Sequence, residues 1–110
     1  MNLTIDVNET ETLVEVTVSG EIDAYTAPKL REALLPMSEK KGIEMIVDLS
    51  EVSYMDSTGL GVFVGAFKNI RSHDGKFQLV GLSERLKRLF DITGLADIID
   101  INSEIEGGVQ

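Results

Sequence analysis

The first twenty residues of the chain contain two runs in which apolar and polar side chains alternate. Residues 3–7 and 14–18 place leucine, isoleucine or valine at every second position, with polar residues between them. Strict alternation predicts strands with one buried and one solvent-facing side. The polar residues 8–11 are predicted to form a turn, so the two strands are expected to pair as an antiparallel hairpin. Gly20 is predicted to end the second strand.

Three later segments have apolar residues at the three- and four-residue spacing of a helix. The first is expected to begin near Thr26, as the N-cap, and the second to span residues 57–71. The third is expected to begin after the capping Ser83 and to end at Gly94, which suits a left-handed residue. The predicted core stripe of the second helix consists of Leu60, Phe63, Val64, Phe67 and Ile70.

Apolar runs at residues 43–49, 77–80 and 98–101 follow these helices. The first run has apolar residues on both faces, which is typical of a strand covered on both sides. Strand–helix–strand units imply right-handed crossovers and parallel pairing. The order therefore predicts an α/β fold: a mixed β-sheet with an N-terminal hairpin and helices packed mainly on one face. One domain over residues 1–110 is expected, with residues 104–110 as a frayed tail.

Composition narrows the possible functions. The 110 residues suit one domain, and the absence of cysteine excludes disulfides and thiolate chemistry. A net charge of −9 disfavours nucleic acid and anionic membranes as partners, so another protein is favoured. The basic cluster Arg85, Lys87 and Arg88 is interpreted as a solvated helix face. No apolar run approaches the roughly 20 residues of a membrane span, and no signal peptide is indicated, so a cytoplasmic protein is expected.

Residues 56–61, Asp-Ser-Thr-Gly-Leu-Gly, are the most informative segment for function because they join a predicted strand to the second helix. The first N–H groups of a helix lack intrahelical partners, and the helix dipole favours negative charge there. Ser57 could therefore carry a phosphate, help to bind one, or cap the helix together with Asp56. Capping accounts for one polar residue, but it does not account for the whole segment.

Enzymatic chemistry finds little support in the residue pattern. A serine nucleophile needs an adjacent base, and the only histidine, His73, is expected roughly 20 Å from Ser57 at the other end of the second helix. The nucleophile-elbow glycine and the P-loop lysine are both missing. A metal site formed by Asp23, Asp48 and Asp56 at one sheet edge stays possible at this stage.

Three separate segments resemble the signatures of STAS-domain anti-sigma-factor antagonists. They are residues 52–65, which contain Asp-Ser-Thr-Gly-Leu-Gly, residues 20–28 and residues 82–95, and residues 106–110 agree as well. The resemblance is nearest to the antagonists of the general stress pathway of Gram-positive bacteria, and next to the sporulation antagonist SpoIIAA. Because the segments agree in order and span nearly the whole chain, the match is specific.

The resemblance implies a regulatory protein without a cofactor, which is the substrate of a kinase and not itself an enzyme. In the family's mechanism, the unphosphorylated antagonist binds a serine-kinase anti-sigma factor (RsbW-like), and the sigma factor is released. Phosphorylation ends this binding, and a PP2C-type phosphatase restores it. The phosphorylated hydroxyl maps onto Ser57, with Thr58 as the adjacent alternative. The residues expected to contact the partner are Asp23, Asp56, Ser57, Thr58, Gly59, Gly61 and Val62.

Two other interpretations remain open. STAS domains also serve as scaffold subunits of larger stress-sensing assemblies, although such proteins usually carry an additional N-terminal domain. A nucleotide-binding module is the other possibility, in which Ser57, Asp56 and Asp23 would surround a bound phosphate.

Overall fold

The computed structural model describes residues 2–102, which form a five-stranded sheet and three α-helices. In chain order the elements are β1 (Leu3–Glu9), β2 (Leu13–Ile22), α1 (Ala27–Ser38), β3 (Glu44–Met55), α2 (Ser57–Ser72), β4 (Lys76–Val80), α3 (Glu84–Thr93) and β5 (Asp100–Asn102). The strands lie in chain order across the sheet; β1 is antiparallel to β2, and the remaining pairs are parallel. The predicted mixed α/β fold is confirmed. The predicted tail, residues 104–110, lies outside the described residues.

The core lies between one face of the sheet and the helices. In β2 the three valines are buried, whereas Glu15 and Thr17 on the opposite face are exposed. The helices α1 and α2 pack against each other, and α3 adds Phe90, whose ring lies 6.3 Å from that of Phe63 on α2. Because β2, β3 and β4 are parallel, their carboxyl ends lie at the same edge of the sheet.

The predicted end of the second strand at Gly20 is wrong, because the strand continues to Ile22. Gly20 has a φ of 113°, and a Cβ built on it would lie 2.2 Å from the carbonyl oxygen of Asn2. The β2–β3 register shifts on both sides of this region, so the glycine permits a bulge within the strand. The bulge lets β2 reach the edge where β3 ends.

Two predictions about burial need correction. Ile46 is only half-buried, and the face of β3 that carries it is not covered by helices, so β3 is buried on one face and not on both. The strand is also longer than predicted and runs to Met55. On α2, Val62 and Ala66 are buried, whereas Val64 is half-buried, so the core-facing side of the helix is rotated from the predicted stripe.

Candidate functional site

The candidate site lies at the sheet edge where β2 and β3 end side by side. Ile22 and Met55, the last residues of these parallel strands, are partners in the β2–β3 register. The backbone N–H of Asp56 donates to the carbonyl oxygen of Ile22 at 3.2 Å, which extends the pairing by one residue. The two loops that leave these strand ends therefore start next to each other, which brings the 20–28 and 52–65 segments together.

Asp56 is the N-cap of α2. Its backbone is extended, with φ −111° and ψ −170°, and its Oδ1 accepts the N–H of Thr58 at 2.9 Å and of Gly59 at 3.4 Å. This arrangement satisfies two of the N–H groups that a helix start leaves without partners. Two of the donors that could have bound a phosphate at this helix start are therefore occupied by Asp56, which weakens the support for a nucleotide-binding module.

Ser57 is the first residue of α2, and its side chain is exposed. Its hydroxyl makes no hydrogen bond to any residue between 2 and 102. The neighbouring Thr58 is half-buried, and its N–H is held by Asp56. Of the two adjacent hydroxyls, Ser57 is the more accessible to another protein.

The loop after β2 is folded by its own side chains. Asp23 is only 8% exposed, and its Oδ1 accepts the N–H groups of Tyr25 at 2.9 Å and of Thr26 at 3.0 Å. The Thr26 hydroxyl donates to the carbonyl oxygen of Glu21 at 2.8 Å and accepts the N–H of Asp23 at 2.9 Å. Thr26 is the N-cap of α1, as expected, but its side chain makes no hydrogen bond to the helix, because its hydroxyl is used within the loop.

Besides the buried Asp23, two more of the predicted partner contacts lie inside the molecule. Val62 is 2% exposed and belongs to the core. Gly59 is buried, and a Cβ on it would lie 2.6 Å from Cγ2 of Ile22 and 2.7 Å from Cγ of Met55. The missing side chain at Gly59 lets α2 approach the strands closely, so neither residue is exposed in this structure, and their role as partner contacts stays a prediction. Gly61 differs, because it is exposed and a Cβ there would meet nothing within 4 Å.

Sequence reasoning missed both tyrosines of the chain. Tyr25 is 88% exposed in the loop after β2, and Tyr54 is 44% exposed at the end of β3. Exposed tyrosines are common in the energetic centres of protein interfaces. The available signal was that Tyr25 and Tyr54 stand inside the 20–28 and 52–65 segments in a chain with only 5% aromatic residues.

The surroundings of the three aspartates and of His73 do not support metal or acid–base chemistry. Asp48 accepts the N–H of Ser50 at 2.9 Å, and the oxygens of Asp23 and Asp56 are used in their own turns. No group of residues able to hold a metal occurs within the described range 2–102. His73 stands at the C-terminal end of α2, the opposite end from Ser57. Among the described helices, none is long and apolar enough to cross a membrane.

Comparison with known proteins agrees with the signatures. The STAS domain family matches residues 4–108. The anti-sigma-B factor antagonist of Bacillus subtilis is 56% identical over 110 residues, which cover both chains completely. The antagonist of the same name from Listeria monocytogenes is 57% identical over 108 residues, covering 97% of this chain and 94% of the relative. The predicted kinship with the general-stress antagonist RsbV is confirmed.

Solved structures show the same fold. An anti-sigma factor antagonist from Mycobacterium paratuberculosis has a TM-score of 0.85 and 26% identity, covering 96% of this chain and 90% of its own. The unphosphorylated form of the antagonist SpoIIAA has a TM-score of 0.76 and 18% identity, covering 94% and 92%, and this likeness concerns the fold alone. Taken with the relatives that are more than half identical along the whole chain, these likenesses show that the protein belongs to the STAS-domain family of anti-sigma-factor antagonists.

Proposed function

We propose that this protein is an anti-sigma-factor antagonist whose partner binding is switched by phosphorylation of Ser57. In this scheme the unphosphorylated protein binds an anti-sigma factor that is also a serine kinase, and the sigma factor is released. The kinase then phosphorylates Ser57 and ends the binding, and a PP2C-type phosphatase restores it. The observation that carries the proposal is the exposed Ser57 hydroxyl, which has no hydrogen-bond partner among residues 2–102.

The surroundings of Ser57 favour its modification over that of other hydroxyls at this edge. A kinase must bring the γ-phosphate in line with an accessible hydroxyl oxygen. Ser57 is exposed, and Gly61, one turn further along α2, leaves open space beside it. Thr58 is half-buried, and Thr26 is buried with its hydroxyl bonded on both sides. Ser57 is therefore the acceptor that requires the least rearrangement.

The same surroundings favour a local electrostatic switch. A phosphate adds about −1.5 to −2 charges. On Ser57 it would follow Asp56 directly, and the Asp56 carboxylate already holds the N–H groups of Thr58 and Gly59. The dianion would thus gain little stabilisation from the helix start and would lose its water on docking. Desolvating an unpaired charge costs several kcal/mol, which changes affinity by orders of magnitude.

The surface that the unphosphorylated partner would contact consists of Ser57 and Gly61 on α2, together with the two exposed tyrosines, Tyr25 and Tyr54. Tyrosine supplies contact area at a low entropic cost, and Gly61 allows a partner's backbone to come close. Because the whole chain carries a net charge of −9, a partner whose overall charge is positive would associate fastest.

The test is to incubate the protein with its cognate anti-sigma-factor kinase and ATP and to map the product by mass spectrometry. We expect one phosphate on Ser57, none on Ser57→Ala, and full incorporation into Thr58→Ala. The PP2C-type phosphatase should remove the phosphate from Ser57. Full phosphate incorporation into Ser57→Ala would show that the acceptor is another residue. Loss of incorporation in Thr58→Ala alone would show that Thr58 is the acceptor.

A further inference from the structure

A groove of about 170 Å³ lies beside the candidate site, between α3 and the end of β3. Its lining residues are Met55, Arg85, Leu86, Arg88, Leu89 and Ile92. Met55 is the last residue of β3 and directly precedes Asp56 and Ser57. The groove therefore reaches the end of the strand from which Asp56 and Ser57 follow, although Ser57 itself does not line it.

The spacing of residues along α3 builds this groove. Leu86 and Phe90, four residues apart, are 2% and 0% exposed and fix the helix against the core. Arg85, Leu89 and Ile92 are spaced by four and three residues, so they form the neighbouring stripe on the same helix. Leu89 is half-buried, and Ile92 is 76% exposed. An isoleucine this exposed, next to a groove with an apolar floor, is the kind of feature that marks a contact surface.

The rim of the groove is positively charged in an otherwise acidic chain. Arg85 and Arg88 line it, whereas Lys87 lies between them in sequence but does not line the groove. Within residues 2–102, none of these three cations has a carboxylate within ion-pairing distance; the pair that forms there joins Lys40 to Glu9. The solvated-face interpretation of the basic cluster does not account for the two arginines flanking an apolar groove.

We propose that this groove is a second docking site for the anti-sigma factor, which inserts an acidic segment with one aliphatic side chain. The aliphatic side chain would pack on Leu89 and Ile92, and carboxylates would pair with Arg85 and Arg88, whose guanidinium groups suit bidentate binding. The inference rests on the proposed function, because it assigns a second contact to the same partner.

Charge complementarity favours this occupant. The Ser57 side of the surface carries Asp56, whereas the groove carries Arg85 and Arg88, which attract carboxylates. A partner whose carboxylates pair with the groove can dock in only one orientation, because the reversed orientation would bring these carboxylates against Asp56. The groove would therefore set the direction in which the kinase approaches the serine.

The experiment is calorimetric titration of the full-length variants with the purified cognate anti-sigma factor. We expect Arg85→Glu and Arg88→Glu each to weaken binding about tenfold, which is typical of a lost interfacial charge pair. Lys87→Glu is the matched control, because it makes the same charge change on the same helix without touching the groove, and its effect should stay below about threefold. Ile92→Ser should weaken binding about fivefold without changing the charge.

Each outcome decides a separate point. If the wild-type protein does not bind the anti-sigma factor, the proposed function fails and this inference fails with it. If it binds and the arginine variants match Lys87→Glu, only the groove assignment is overturned.

A wild-type dimer in sedimentation that Ile92→Ser dissociates would assign the groove to a second copy instead. Tighter binding after removal of residues 103–110, which contain Glu104 and Glu106, would assign it to the chain's own terminus. Circular dichroism and Tm confirm that each variant is folded.

Discussion

The two strand-to-helix junctions at the carboxyl edge of the sheet contain the same aspartate-closed turn, but the hydroxyl near the turn is buried in one junction and exposed in the other. After β2, Oδ1 of Asp23 accepts the N–H groups two and three residues ahead; after β3, Oδ1 of Asp56 does the same. At the first junction the Thr26 hydroxyl is buried and bonded twice. At the second, the Ser57 hydroxyl faces solvent. The difference lies in where the hydroxyl stands relative to the aspartate.

Burial follows position within this shared turn. The residue directly after the aspartate is exposed in both junctions, Ala24 in one and Ser57 in the other. The residue three positions after the aspartate is buried in both, Thr26 in one and Gly59 in the other. In this turn, therefore, a hydroxyl directly after the aspartate can be reached by another protein, whereas a hydroxyl three positions after the aspartate is available only for internal bonds.

The largest expected effect is on partner binding. Ser57→Asp places a negative charge directly after Asp56. It should weaken binding to the anti-sigma factor by about 100-fold, because the added carboxylate must be desolvated beside Asp56 on docking. Isothermal titration calorimetry measures the change. Ser72→Asp is the control, because it adds the same charge at an exposed position at the other end of α2. Equal losses in both variants would show that net charge, and not the site, controls binding.

The sequence was sufficient to predict the fold because the relevant signals are local. Alternation with a period of two predicted the hairpin, and Ser83 and Gly94 correctly predicted the start and end of α3. The bulge at Gly20 was missed because a glycine inside a strand and a glycine at its end look alike until the register with β3 is known.

The candidate site was only partly predictable, because exposure depends on how α2 sits on the sheet. Asp56 and Ser57 were both possible caps by residue type, and only the extended backbone of Asp56 decides between them. Val62 was expected at the surface, but the absence of a side chain at Gly59 lets the helix come close enough to bury it. Tyr25 was overlooked because its exposure results from the turn that Asp23 closes.

The next largest effect tests the residue three positions after the aspartate of the turn. Gly59→Ala should lower the free energy of unfolding by about 1–3 kcal/mol, because the added Cβ would lie 2.6 Å from the buried Ile22 side chain and 2.7 Å from Met55. Urea denaturation measures this change. Gly61→Ala is the matched control on the same helix, since a Cβ there meets nothing within 4 Å, and it should raise stability by about 0.5–1 kcal/mol. Equal changes in the two variants would contradict the close packing at Gly59.

The smallest effect compares the two hydroxyls directly. Thr26→Ala should lower the free energy of unfolding by about 1–2 kcal/mol, because it leaves the N–H of Asp23 and the carbonyl oxygen of Glu21 without their bonds in a partly or fully buried turn. Ser57→Ala should change it by less than about 0.5 kcal/mol, because the exposed hydroxyl bonds to no residue between 2 and 102. Both values come from urea denaturation.

Thr26→Ala should affect stability but not phosphate incorporation, and Ser57→Ala should affect phosphate incorporation but not stability. Thr26→Ala should still accept a phosphate from the kinase, since its Ser57 is unchanged, whereas Ser57→Ala should accept none. A hydroxyl that the turn needs for stability is not free to be modified, and one that it does not need can change its charge without unfolding the domain. Strong destabilisation by Ser57→Ala would contradict this separation, because phosphorylation would then alter the fold as well as the surface.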